Sequence, residues 1–335
     1  MVRVAVAGLG YWGPNLVRNF STLGNSVLTA ICDSDLSRLN EISPRYPQAV
    51  TTTNFQDLLK AGFVDAIVIA TPTRTHYSLA KLALERGIHV FVEKPLAGSV
   101  AECEDLIKIA EDKKVILFVG HVFLYAPAIL KLKEIVENRE LGNLCYISSA
   151  RLNLGPVRQD VNALWDLATH DISIILFLVT NPVLSVNCQG MAYLKKNIHD
   201  VCSLTMQFAN GSIALVNASW LDPNKIRRMT IVGDKKMAVY DDLQLLEKIK
   251  IYDKGVDKPD YSDSYGDFHL SYRYGDIYIP KISDSEPLKS ECVHFLDSII
   301  LKKKPRTDGK NGLQVVKVLS AANRSLQNGG ERVSV

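Results

Sequence analysis

The sequence predicts an α/β protein in two parts: a doubly wound parallel sheet, then a second unit of antiparallel strands with flanking helices. Three observations predict it. A Val-rich run opens the chain and leads through a glycine-rich turn into a helical stretch. Short apolar runs then alternate with helical patterns as far as Val119, as parallel strands joined by right-handed crossovers require. From Val183 onward the pattern becomes apolar–polar alternation broken by hairpin turns.

The 335 residues suffice for about two domains, with the cut expected after residue 121, the second domain running over 122–335, and its C-terminal helices free to pack back on the first. A hydrophobic fraction of 47% with 22% charged residues excludes a disordered or collagen-like chain. Lys plus Arg number 39 against 36 Asp plus Glu, and no concentrated basic patch marks a nucleic-acid partner. The lysines at 302–304 read as a solvated helix end. The cysteines at 32, 103, 145, 188, 202 and 292 form no C-x-x-C pair. They read as buried, reduced thiols, with no metal site. The start of the chain lacks an export signal, and the longest apolar run, 172–179, is far too short to span a membrane. A cytoplasmic protein without a membrane partner is expected.

The first strand, Val2-Arg3-Val4-Ala5-Val6-Ala7, reads as buried and parallel. Gly8-Leu9-Gly10-Tyr11-Trp12-Gly13 follows, then a helix from Pro14, a residue suited to a first helical turn. A second strand over 27–32 is closed by Asp33, 20 residues beyond Gly13. G-x-G-x-x-G alone is weak, but strand before, helix after and a distal acid together specify a Rossmann dinucleotide site. Gly8 allows the tight turn, Gly10 the approach of a pyrophosphate, and Gly13 close helix–strand packing. Asp33 accepts from the adenosine ribose hydroxyls and repels a 2′-phosphate, so NAD is the expected cofactor. Tyr11 and Trp12 lie in the phosphate loop, Trp12 as packing beside the cofactor.

The alternation continues with a helix over 55–60, a strand over 65–70, a helix over 75–86, strands over 89–92 and 115–119, and a helix over 99–113 between those two. Ligands bind at the carboxyl ends of such strands. Ala70-Thr71-Pro72, Glu93-Lys94-Pro95 and Gly120-His121 fall there, with His76 packing near the cofactor. A lysine held between Glu and Pro at the end of a buried strand can stabilise an oxyanion formed as hydride leaves. Spacing alone leaves an exposed loop lysine equally open.

Gly8-Leu9-Gly10-Tyr11-Trp12-Gly13, Ala70-Thr71-Pro72 with His76, Glu93-Lys94-Pro95 and Trp165-Asp166-Leu167-Ala168-Thr169-His170-Asp171 are similar to motifs of the glucose–fructose oxidoreductase/inositol dehydrogenase/MocA family. Glu286-Pro287-Leu288 and Asp308-Gly309 extend the resemblance along the chain. The resemblance implies a two-domain oxidoreductase whose second part is an α+β domain with an open, mostly antiparallel sheet. It maps the catalytic lysine to Lys94 and the partner pair to Asp166 and His170, and it adds Thr71, Pro72, His76, Glu93 and Lys94 to the cofactor site. The run His121-Val122-Phe123-Leu124-Tyr125-Ala126-Pro127 departs from the family's common pattern and weakens an inositol or sugar-phosphate assignment. That run and the stretch over 151–162 resemble members acting on nucleotide-linked sugars, above all those that oxidise the 3-hydroxyl of UDP-N-acetylglucosamine. Sugar 3-ketoreductases and UDP-N-acetylglucosaminuronate 3-dehydrogenases are near alternatives. A non-catalytic sensor of NAD and sugar is the alternative of another class.

Asp166 and His170, four residues apart, share a helix face. A carboxylate there can orient the imidazole and stabilise its charge. Arg151, Asn153, Arg158 and Asn162 precede that helix and suit phosphate, hydroxyl and acetamido groups. Together with Lys94, His121, Tyr125 and His170 they form the expected substrate set. His199, His269 and His294 read as structural. Strands over 201–208 and 212–219 flank Ala209-Asn210-Gly211, and strands over 228–232 and 236–240 flank Gly233-Asp234. The stretch 252–278 reads as irregular or as an edge ribbon, and helices are expected over 288–301 and 313–326. An uncovered sheet face predicts a homodimer or homotetramer.

Overall fold

The computed structural model describes residues 1–155, 157–158, 161–257 and 271–335. Pro156, Gln159 and Asp160 of the expected pocket loop, and His269, lie outside the described residues. The chain divides into two compact units, Met1–Ala126 with Ser285–Ser320, and Pro127–Asp284 with Ala321–Val335. Each is therefore discontinuous in sequence, with the stretch 285–320 returning to the first unit.

The first unit begins with β1 (Val2–Ala7), α1 (Gly13–Thr22), β2 (Ser26–Cys32), α2 (Leu36–Ile42) and β3 (Val50–Thr52). It continues with β4 (Ala66–Ile69), α3 (His76–Glu85), β5 (His89–Glu93), α4 (Val100–Lys113) and β6 (Leu117–Gly120). The six strands lie in the order β3-β2-β1-β4-β5-β6 and every pair is parallel. The central residues of β1, β4, β5 and β6 are buried on both faces, as a sheet sandwiched between helices demands. The order reverses between β1 and β4, which places the switch-point crevice at their carboxyl ends. Residues 55–59, expected as a helix, form a 3₁₀ turn.

The second unit starts with α5 (Pro127–Glu137) and β7 (Leu144–Leu152), followed by α6 (Thr169–Leu178), β8 (Val183–Met191), β9 (Val201–Phe208) and β10 (Ile213–Ser219). Next come β11 (Ile226–Gly233), β12 (Met237–Asp241), β13 (Ile249–Asp257) and β14 (Ser271–Tyr278). With β15 (Val333–Ser334) they build a nine-stranded sheet, β14-β13-β12-β11-β7-β10-β9-β8-β15. Only β7 and β10 pair parallel; the other neighbours are antiparallel. Cys202, Leu204, Met206 and Phe208 of β9 and Ala214, Val216 and Ala218 of β10 are buried, while the alternate positions are more open. α6 packs on β7 and β10. The tyrosine-rich stretch resolves into the edge ribbon β13–β14 over its described part.

α7 (Pro287–Ile300) returns the chain to the first unit, and α8 (Gly309–Gln327) contains the point where the two units divide. Phe295 of α7 completes an aromatic cluster with Phe91 at 5.6 Å, Phe118 at 5.4 Å and Phe20 at 6.2 Å between ring centroids. All four rings are fully buried, and burying each contributes about 1.5–3 kcal/mol. Five of the six cysteines are buried; Cys145 is exposed, contrary to expectation, because it lies near the start of β7 beside Asn143. No helix among the described residues is long and apolar enough to cross a membrane.

Candidate active site

The glycine turn sits at the switch point. Gly8 has φ +96°, and a Cβ there would lie 2.6 Å from the Ala70 carbonyl carbon at the end of β4. A Cβ on Gly13 would lie 2.0 Å from the carbonyl oxygen of Gly8, so only glycine lets α1 begin so near β1. Gly10 is different: nothing lies within 4 Å of its Cβ position. Its backbone faces open space, where a pyrophosphate fits. Pro14 stands in the first turn of α1, so a missing N–H costs nothing there. Tyr11 and Trp12 meet edge to face at 5.6 Å, with Tyr11 86% and Trp12 36% exposed. Two aromatic rings left in solvent beside a phosphate turn are consistent with a cofactor flank.

Asp33 lies just past β2 and is buried. Its carboxylate accepts from the N–H of Leu9 at 2.6 Å and of Asp35 at 2.9 Å. Arg38 approaches the same carboxylate at 3.8 Å. The acid therefore holds the glycine turn. These residues fit a dinucleotide.

At the end of β4, the hydroxyls of Thr71 and Thr75 are 2.7 Å apart, while Pro72 is exposed. His76, at the start of α3, is buried, with Nδ1 2.8 Å from the carbonyl oxygen of Pro95 and Nε2 2.9 Å from that of Thr71. It thus ties the end of β4 to the loop carrying Lys94. The Lys94–Pro95 peptide is cis.

Glu93 ends β5 opposite Gly120 of β6. A Cβ on Gly120 would lie 3.1 Å from Glu93 Oε2, so the glycine makes room for the carboxylate. The N–H of Lys94 donates to that oxygen at 3.3 Å. Burial pushes the Glu93 carboxyl up to about 7 despite the opposing charge of Lys94. His121 is buried, and neither ring nitrogen has a hydrogen-bond partner among the described residues. Burial first, and the Lys94 charge second, hold its imidazole down to about 3, so it is neutral at physiological pH.

Tyr125 does not join this group. It is buried, with its hydroxyl 2.9 Å from His294 Nδ1 and 3.1 Å from Thr307 Oγ1, and Arg306 lies over its ring at 5.0 Å. These contacts make it an interior brace and correct its assignment to the substrate set. The short turn 122–125 that follows β6 carries the ring inward. His294, expected to be structural, serves as its partner.

In the second unit, Asp166 falls in a π-helical turn, Leu164–Ala168, and His170 in the first turn of α6. The wider turn breaks the regular α-helical spacing expected between them. The Trp220 indole N–H donates to Asp166 Oδ2 at 3.2 Å, and Arg158 approaches Oδ1 at 3.5 Å. Trp220, remote in sequence, was not recognisable as a site residue. Asn162 accepts from the N–H of Trp165 at 3.1 Å and so caps the helical segment, a structural role that competes with a substrate one. Asn153 is half-buried at the end of β7, where its N–H donates to the Ser219 carbonyl at 3.1 Å. Arg151 is buried against Asp171, which also accepts from Ser149 Oγ at 2.6 Å. That bridge joins β7 to α6 and accounts for Arg151 without a ligand.

Residues 2–121 match the family model described as oxidoreductase family, NAD-binding Rossmann fold, and residues 129–239 match the GFO/IDH/MocA C-terminal domain. The UDP-N-acetylglucosamine 3-dehydrogenase of Acidithiobacillus ferrooxidans is 28% identical over 76% of this chain and 78% of its own length. The solved structure of that enzyme superposes with a TM-score of 0.82 at 25% identity, covering 98% of both chains. A myo-inositol 2-dehydrogenase of Thermotoga maritima is 24% identical over 97% of this chain and 96% of its own length. Motifs, fold and both domain matches agree: the chain belongs to the GFO/IDH/MocA family of NAD-dependent oxidoreductases.

Proposed function

We propose that this oxidoreductase removes hydride from the 3-hydroxyl carbon of a nucleotide sugar, UDP-N-acetylglucosamine being the first candidate. The observation that carries the reaction is Lys94 at the carboxyl end of β5, with Glu93 beside it, on the edge of the sheet where a dinucleotide binds. The similarity to the Acidithiobacillus ferrooxidans enzyme supports the substrate class.

NAD⁺, when bound, supplies the hydride acceptor. The Lys94 ammonium donates to the substrate oxygen and stabilises the negative charge that builds there as the C–H bond breaks. His170 takes the hydroxyl proton. Asp166, in the turn before His170, is steadied by Trp220 and Arg158. Arg158 and Asn153 are the proposed contacts to the nucleotide and acetamido groups. Arg151 and Tyr125 are left out because buried partners occupy them. Self-association through the sheet face that carries Tyr146, Leu215 and Thr205 is part of this reading; a solution mass showing only monomer would reject it.

The decisive test mixes protein and NAD⁺ with UDP-N-acetylglucosamine, other UDP-sugars and myo-inositol, and follows NADH absorbance. NADH formation with the UDP-sugar is expected, and Lys94→Ala should abolish it while NAD⁺ still binds. Turnover of inositol alone, or near-normal turnover by Lys94→Ala, would overturn the reading.

A further inference from the structure

Behind Lys94 lies a carboxyl group that the proposed reaction leaves unused. Glu291 of α7 is 0% exposed, and neither carboxyl oxygen has a hydrogen-bond partner among the described residues. The packing fixes what it faces. Phe91 and Glu93 project from the same side of β5, two residues apart. Phe295 of α7 packs on Phe91, and Glu291 stands one turn before it on the same helix face. Glu291 and Glu93 are therefore neighbours under one apolar roof, and each lies within electrostatic reach of Cys292.

A carboxylate cannot be left charged in an apolar interior with neither hydrogen bond nor counter-charge. Glu93 has both, from the Lys94 N–H and the Lys94 ammonium. Glu291 has neither. We infer that Glu93 and Glu291 form a buried pair of carboxyls carrying one proton and one charge, and that Glu291 is a positioning residue which keeps the proton. Of the two carboxyls, Glu93 is then the anion, beside Lys94, and Glu291 adds no second charge to that end of β5. Burial and the neighbouring Glu93 both push the Glu291 carboxyl up, in the same direction. Of the other groups nearby, Tyr125 after β6 feels Glu291, Cys292 on α7 feels both carboxyls and also Arg18 of α1, which is engaged with Glu286, and His121 feels Lys94. Among these, Lys94 alone supplies Glu93 with both a donor and a charge.

This assignment rests on the role proposed for Lys94, but its test does not depend on finding a substrate. Infrared spectra of the full protein at neutral pH should show the carbonyl stretch of a protonated buried carboxyl. Glu291→Gln should weaken that band at neutral pH and remove it above about pH 8, where Glu93 is ionised, and leave NAD⁺ affinity within about threefold. In Glu93→Gln the band should vanish at a lower pH than in the wild type, because the neighbouring anion is gone. With any UDP-sugar that turns over, the acid limb of kcat/KM near pH 7 should survive Glu291→Gln and be lost in Glu93→Gln. A neutral-pH spectrum unchanged by Glu291→Gln, or a band indifferent to Glu93→Gln, would overturn the inference. Should no UDP-sugar react, the infrared outcomes still decide it.

Discussion

The backbone N–H of Leu9 donates to Oδ2 of Asp33 at 2.6 Å, so the acid at the end of β2 anchors the glycine turn at the end of β1. Removing that carboxylate should act twice. Asp33→Ser is expected to weaken NADH binding by about 10- to 100-fold, the loss of one charge-assisted hydrogen bond. It should also shift relative preference toward NADPH, because a repelling carboxylate is gone and Arg38, paired with Asp35 at 3.5 Å, then faces one anion fewer. Fluorescence titration with both reduced cofactors checks this; an unchanged preference would refute it.

Two glycines of the same turn should fail differently. Gly8→Ala meets the carbonyl of Ala70 at a positive φ and should lower the thermal midpoint. Gly10→Ala enters open space, so it should fold normally yet lose NAD⁺ affinity at least tenfold. Calorimetry paired with cofactor titration separates the two. Equal stability losses would mean that Gly10 serves the fold.

The two arginines near the π-helical turn should also part company. Arg151→Met strands the buried Asp171 and should cost about 3–5 kcal/mol in denaturant unfolding. Arg158 is partly exposed; Arg158→Ala should leave stability within about 0.5 kcal/mol and raise KM for the UDP-sugar. A stable Arg151→Met protein with a raised KM would restore Arg151 to the substrate set.

Glu93 and His121 should tilt stability in opposite directions with pH. Glu93 is raised from 4.5 to about 7, so the folded state holds its proton more tightly and stability falls as pH rises through that window. His121 is lowered from 6.5 to about 3, so the unfolded state binds its proton first and stability rises with pH between those values. Across the shared range from 4.5 to 6.5 the two slopes oppose each other, each about 1.4 kcal/mol per pH unit at most. Relative to the wild type, Glu93→Gln should gain stability as pH rises there and His121→Asn should lose it. Urea melts at several pH values measure both; parallel curves would refute the buried placement of these groups.

The parallel sheet and its cofactor turn were legible because their signals are local. Gly8, Gly10, Gly13 and Asp33 lie in one short segment, and each has its own backbone reason to be there. β3 escaped notice because three residues, Val50-Thr51-Thr52, carry too little pattern and none is buried. The turn around Asp166 read as α-helix, since nothing in the sequence distinguishes a π turn from its continuation. Arg151 and Tyr125 misled for one reason. Their residue types suit a substrate, but their partners Asp171, His294 and Thr307 lie far along the chain. Trp220 and Glu291 were missed for the same reason: only folding reveals what they face.

The Phe295 contacts carry a consequence for biosynthesis. The aromatic cluster beneath β5 and β6 needs a helix that leaves the ribosome only after about 285 residues have been made, since N-terminal segments emerge first. Until then the nascent sheet holds Phe91 and Phe118 without their cover, a sticky surface that chaperones would have to shield. Fragments ending at residue 126 should accordingly precipitate, whereas co-expressing the missing C-terminal piece should rescue them.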